Sequence, residues 1–150
     1  MIDIAKKHLD RGWSLFPLWP NTKIPMTTHG FKDSSNSIEQ IQKWWSKTKD
    51  ANIGIATGRK SGIVVIDIDV KKNKSGIRAK GKQSFKNIKG LLPITYTVTT
   101  TTKGWHLYYR SEIEIGCRNG WQPGIDIKAD GGYVVAAGSV IDGKIYDEQD

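Results

Sequence analysis

Two carboxylates two residues apart close an apolar run, Gly62-Ile63-Val64-Val65-Ile66-Asp67-Ile68-Asp69. Side chains alternate along a strand, so the spacing projects Asp67 and Asp69 from one face. Like charges that close repel and raise each other's pKa unless a cation lies between them. Hard oxygen donors of this kind suit magnesium or manganese. A strand that simply ends in a solvated turn would use the same residues. The run alone does not separate the two readings.

Two later segments carry further chemistry. In Thr102-Lys103-Gly104-Trp105-His106-Leu107-Tyr108-Tyr109 a polar turn enters a strand on which His106 and Tyr108 share a face. A histidine there can ligate a metal or hydrogen-bond a phosphate, although a lone strand histidine is more often structural. In Gly124-Ile125-Asp126-Ile127-Lys128 the same alternation puts Asp126 and Lys128 on one face. That pair reads either as a plain ion pair or as one group for a metal and one for a phosphate.

The formal net charge is +8, and its placement is more informative than its size. Eight basic residues and no acid lie between Lys71 and Lys89: Lys71, Lys72, Lys74, Arg78, Lys80, Lys82, Lys86 and Lys89. The rest of the chain is balanced, so this one stretch carries the whole excess. A local basic run beginning two residues after Asp69 points to a polyanion such as nucleic acid, with a solvated lysine-rich loop as the plain alternative.

The elements that must position these groups follow from pattern and punctuation. A short helix is predicted over about Ile2 to Arg11, stopped by Gly12. A strand follows from Trp13 to Leu18, and Pro20 to Pro25 forms a loop presenting Lys23. Ser37-Ile38-Glu39-Gln40 has the form of a capping box. It opens a helix with Ile38, Ile41, Trp44 and Trp45 at helical spacing, and the paired tryptophans are expected in the core. Strands are predicted at Ala51–Gly58, Ser61–Asp69, Ile94–Thr100, Trp105–Arg110, Gly124–Lys128 and Gly132–Ala136, with a short helix near Lys82–Ile88. The stretch through Gly116, Gly120 and Pro123 reads as loop. Helices early and short strands later give a mixed α/β class.

Length and composition bound the rest. At 150 residues the chain is one domain with a real core. A hydrophobic content of 37% and six tryptophans exclude disorder. The single Cys117 excludes an intramolecular disulfide and a cysteine-rich zinc site. No apolar stretch approaches the ~20 residues of a membrane span, and the N-terminus lacks the order of a signal peptide. The expected location is cytoplasmic, with no membrane partner.

Taken in order, these segments resemble the archaeo-eukaryotic primase superfamily, and within it the bifunctional DNA primase/polymerase (prim-pol) domain of plasmid and phage replication proteins. The likeness starts at Gly12–Leu18 and Lys23-Ile24-Pro25 and runs through Trp44-Trp45, Ala51–Gly58 and Ser61–Asp69. Leu92–Thr95, His106–Tyr109, Gly124–Lys128 and Gly131–Ala136 continue it. It implies an N-terminal α/β unit packed against an RRM-like antiparallel sheet, with the active site in the cleft between them. It also implies that Asp67, Asp69 and Asp126 hold two Mg²⁺ or Mn²⁺ ions. His106 would meet the incoming nucleotide and Lys128 its phosphates. Lys103, Gly104 and, weakly, Ser139 are further nucleotide-contact candidates. Lys71, Lys72, Lys74, Arg78, Lys80 and Lys82 are expected to hold template or primer backbone. Partners implied are a DNA template and primer, nucleoside or deoxynucleoside triphosphates, and helicase or helical accessory domains, since such domains are often part of longer replication proteins.

The chain departs from the family pattern in two places. Thr101-Thr102-Lys103-Gly104-Trp105 replaces a small glycine-rich turn, where Lys103 adds charge and Trp105 adds bulk that could obstruct phosphate. Ala136 to Asp142 lacks the proline pair and histidine common after Tyr133. Three functions therefore compete: a template-dependent nucleotidyltransferase, a metal-dependent nuclease built on the same three acids, and a non-catalytic nucleic-acid-binding module of the same fold.

Overall fold

The computed structural model describes residues 1–149. Ala5 and His8, one helical turn apart, direct the first helix α1 (Ile2–Asp10) against the core. Helix α2 (Ile38–Lys47) starts at Ser37, whose Oγ accepts the Gln40 N–H. Only half of the capping box forms, because the Ser37 N–H donates to Ser35 Oγ rather than to a Gln40 side chain. Trp45 is fully buried and its Nε1–H donates to Ala51 O at 2.9 Å. Trp44 is only half-buried. Adjacent helical residues lie about 100° apart, so both indoles cannot face the core.

In chain order the strands are β1 (Leu15–Leu18), β2 (Asn52–Ala56), β3 (Ile63–Ile68), β4 (Thr97–Thr99), β5 (Trp105–Arg110) and β6 (Arg118–Gln122). They continue as β7 (Ile125–Lys128), β8 (Tyr133–Val135), β9 (Val140–Ile141), β10 (Lys144–Ile145) and β11 (Asp147–Glu148). Helix α3 (Gly81–Ile88) lies between β3 and β4. Among the described residues β1, β2 and β8 form one sheet in that order. A six-stranded sheet runs β11-β4-β5-β3-β7-β6, and β9 and β10 form a small hairpin. Every pair in these sheets is antiparallel. Pro17 sits in β1 at a sheet edge, where proline is tolerated.

The mixed α/β class and the antiparallel sheet implied by the family resemblance are both present. The smaller sheet is not built from the N-terminal segment alone, because β8 joins it from late in the chain. One core then runs continuously from Trp45, Ile53 and Leu15 to Val65, Val98 and Tyr108 of the large sheet. A second, smaller cluster of Ile66, Ile68, Leu107 and Ile125 lies on the sheet's other face under α3. Strand alternation sorts the residues: Val65 and Asp67 face the first core, Ile66 and Ile68 the second. Residues 118–122, expected as loop, form the exposed edge strand β6. Arg-Asn-Gly-Trp-Gln has no period-two apolar pattern, since an exposed edge strand buries little, and its register with β7 is broken by a bulge.

His8 is buried in the first core, stacked on Trp13 with its Nε2 2.9 Å from Ala137 O. Burial disfavours its charged form and outweighs that hydrogen bond, holding its pKa below the usual 6.5. The unfolded chain therefore binds a proton that the folded chain resists. Stability is fully present above about pH 6.5 and declines as pH falls from there towards the lower folded value. Thermal melts across that range should show the decline in the wild type and a flatter profile in His8→Gln. Parallel profiles would show that His8 is not the titrating group.

Candidate active site

Asp67 is the centre of the site because β3 is the centre of its sheet neighbourhood. Across β5 its register partner is His106, and across β7 its register partner is Asp126. The three side chains thus form one row over three adjacent strands, on the face that looks towards the smaller sheet. His106 Nε2 lies 3.4 Å from Asp67 Oδ1, and His106 is buried. Burial pushes the Asp67 carboxyl up. The adjacent His106 imidazole and the more distant Lys128 and Lys23 outweigh it, and the net shift is downward. Asp67 is therefore an anion at neutral pH despite its partial burial.

Asp126 Oδ1 accepts the Gly120 N–H at 2.7 Å, a donor that lies within the β6 bulge. Its Oδ2 is 3.6 Å from Lys128 Nζ. Asp69 lies just beyond β3, and its Oδ1 accepts the Lys71 N–H at 2.9 Å. Its backbone is fastened on both sides, the N–H donating to Gly124 O and the carbonyl accepting from Gly81 N–H. Asp67, Asp69, Asp126 and His106 line one cavity of about 200 Å³ together with Lys23 and Lys71. A second cavity of about 300 Å³ shares Lys23, Asp67 and His106 and adds Lys128 and Tyr133. The two form a cleft between the sheets.

The remaining candidates separate clearly. Lys103 and Gly104 do not line the cleft; Thr100 and Thr102 of the same turn do. The Gly104 N–H is taken by Thr100 Oγ1 at 3.0 Å and the Lys103 N–H by Thr100 O at 2.9 Å, so neither amide faces a ligand. Glycine at 104 has a packing reason instead, since a Cβ there would strike the Ile68 carbonyl. Trp105 does not obstruct the cleft, because it alternates with His106 and projects from the opposite face. Ser139 is fully buried, with its Oγ accepting the Ile53 N–H at 3.0 Å, and it lines neither cavity. Its hydroxyl is committed to the backbone of β2.

The basic run divides. Lys71 enters the cleft. Lys72 and Lys74 stand exposed on a hairpin-like excursion closed by Ala79 N–H to Lys71 O, with Asn73 Oδ1 accepting from Ser75 and Ile77. Arg78, Lys80 and Lys82 pass round to the side of the sheet where α3 lies. Lys23 and Tyr146 are cleft residues not singled out among the site candidates. Lys23-Ile24-Pro25 is one of the motifs of the resemblance but carries no role there, a tyrosine near position 150 has no local pattern at all, and the fold brings both to Asp67.

Like charges directly opposite on neighbouring strands destabilise a sheet, so the Asp67–Asp126 rung needs compensation. His106, Lys23 and Lys128 supply part of it. Among the described residues no three acidic, histidine or cysteine side chains converge on one point as they stand. The donor set nevertheless fits a hard divalent cation, because three carboxylates border one polar cavity.

The fold is a mixed α/β domain in which carboxylates, an imidazole and lysines gather between two sheets. The family is specific. The model of the Prim-Pol family, bifunctional DNA primase/polymerase N-terminal domains, matches residues 5–149, and the chain belongs to that family. The match spans Lys23, Asp67, His106 and Asp126, and it bears out the resemblance carried by the motifs. No curated protein matches the chain. Among the described residues no helix is long and apolar enough to cross a membrane.

Proposed function

We propose that this chain is a template-dependent nucleotidyltransferase that joins nucleotides on a DNA template, with its chemistry in the cleft around Asp67. The observation that carries the proposal is the row Asp126–Asp67–His106 across three adjacent strands, faced by Lys23 and Lys128. Asp67, Asp69 and Asp126 would hold Mg²⁺ or Mn²⁺. Such ions, when bound, make a 3′-hydroxyl more acidic and neutralise a triphosphate.

The chain's own residues divide the remaining work. Asp67 stays ionised because His106 and the lysines favour its charged form. Lys128 and Lys23 supply fixed positive charge where the triphosphate would lie, and charge set in place beforehand costs no reorganisation during transfer. His106, on β5 between β3 and β4, borders the same space with its Nε2 set against Asp67 Oδ1. Lys71 sits where the cleft meets the basic excursion, a position suited to a phosphate of the template or primer backbone.

The test is incubation with Mg²⁺ or Mn²⁺, primed and unprimed DNA templates and labelled nucleotides of both sugar types. The expected result is metal-dependent extension, together with a rise in melting temperature when Mn²⁺ is added. Shortened template instead of extended primer would assign the site to a nuclease. DNA binding without product under either metal would assign the chain to a non-catalytic module of this fold.

A further inference from the structure

The large sheet has two faces, and the cleft uses only one. On the other, Trp105 of β5 meets Phe85 of α3, with ring centroids 5.9 Å apart and planes tilted by 39°. Both rings are half-buried: their inner edges cover the small core of Ile66, Ile68 and Leu107, and their outer surfaces border a groove of about 570 Å³. Among the described residues five cations rim that groove, Arg78, Lys80, Lys82, Lys86 and Lys89, and no acid lines it. A solvated lysine-rich loop has no reason to gather its charges around an aromatic pair. Mutual repulsion disfavours the clustering unless an anion offsets it.

We propose that this groove binds an unpaired segment of nucleic acid, with a base stacked on Trp105 and flanking phosphates held by the lysines. Aromatic floor and cationic rim together are what a flexible polyanion carrying flat π-faces requires. Duplex DNA keeps its bases stacked on one another and has none to offer Trp105. An acidic polypeptide matches the rim but not the floor, and a planar anionic membrane does not enter a concave groove. The sheet separates the groove from the acid row, so a strand held here is retained outside the reacting centre. The inference rests on the proposed function only in taking nucleic acid as the polymer.

The test measures binding of a labelled oligothymidylate to the full chain in EDTA without nucleotides, so that catalysis plays no part. Trp105→Leu keeps an apolar contact for Phe85 and should raise Kd about tenfold, with the salt dependence unchanged. The double variant Lys86→Ala, Lys89→Ala changes exposed side chains only. It should raise Kd and reduce the log–log salt slope by about 1.4, at ~0.7 per single-strand phosphate contact. Should Trp105→Leu fail to fold, the lysine variant decides alone. Unchanged Kd in the folded variants overturns the groove. So does equal or tighter binding of duplex DNA, polyglutamate or anionic vesicles. Absence of primer extension with these Kd changes intact would remove the polymerase reading and leave the groove standing.

Discussion

Asp67→Asn is expected to lower metal-dependent primer extension by about a thousandfold, the scale of the several kcal/mol that a correctly held divalent ion contributes to a transition state. The substitution preserves shape and removes the charge at the middle of the acid row. Asp126 then loses its like-charged neighbour, and His106 loses the carboxylate 3.4 Å away. These two changes oppose each other, so the melting temperature without metal should move by only a few degrees, or ~1 kcal/mol. The Mn²⁺-induced rise in melting temperature should disappear. The double variant Asp67→Asn, Asp126→Asn should be hardly less active than the single one, because groups that act as a unit lose their effect together. Retained extension in folded Asp67→Asn would refute the role given to this residue. Because the Asp67 pKa is depressed, its ionised form contributes stability above the unfolded value of 3.8, lost only as pH falls through the lower folded value. No neutral-pH loss of activity should therefore trace to this carboxyl.

Gly124→Ala is expected to destabilise the fold by ~3 kcal/mol, combining left-handed backbone strain with overpacking against backbone atoms that cannot rotate away. Gly124 has φ +75°, and a Cβ there would run into the backbone of Gly81. The same contact brings the Gly124 carbonyl to the Asp69 N–H at 2.8 Å, and Gly81 N–H to the Asp69 carbonyl at 3.1 Å. Asp69 and the start of α3 are both fixed by this close approach. The melting temperature should fall by about 10 °C, and activity at low temperature should fall further than the unfolded fraction explains. Gly143→Ala is the control: φ is +70° and open space surrounds the position. It should cost only ~1 kcal/mol, the strain without the clash. Equal losses in the two variants would show that packing at Gly124 is not what positions Asp69.

The strand that carries Asp67 was legible because local rules suffice for it. A β-branched run makes a central strand, alternation puts its acids on one face, and the ordered motifs identify the family. His106 and Asp126 carried their chemistry in residue type alone, yet nothing in their spacing from Asp67 along the chain made them neighbours. Register did that, by pairing β5 and β7 with β3 at residue 67. The bulged edge strand β6 escaped recognition because it buries too little to show a pattern. Lys103 and Gly104 had the composition of a phosphate-binding turn, but their amides close the turn on Thr100. Ser139 was equally ambiguous by type, and burial against β2 settled its use.

Side-chain alternation and hydrophobic burial are local consequences of the residue order, so the helices, the central strands, the acid pair and the concentration of positive charge were all written in the chain itself. Which face each charge joins is a different kind of fact. The basic run is one segment in sequence, yet Lys71 enters the cleft while Lys82, Lys86 and Lys89 border Trp105 on the sheet's far side. Lys23, more than forty positions before Asp67, joins the same cleft from a loop after β1. Those placements depend on long-range strand pairing and on α3 crossing the sheet. Only the folded arrangement could decide them, because their stabilising contacts exist between segments that the sequence keeps apart.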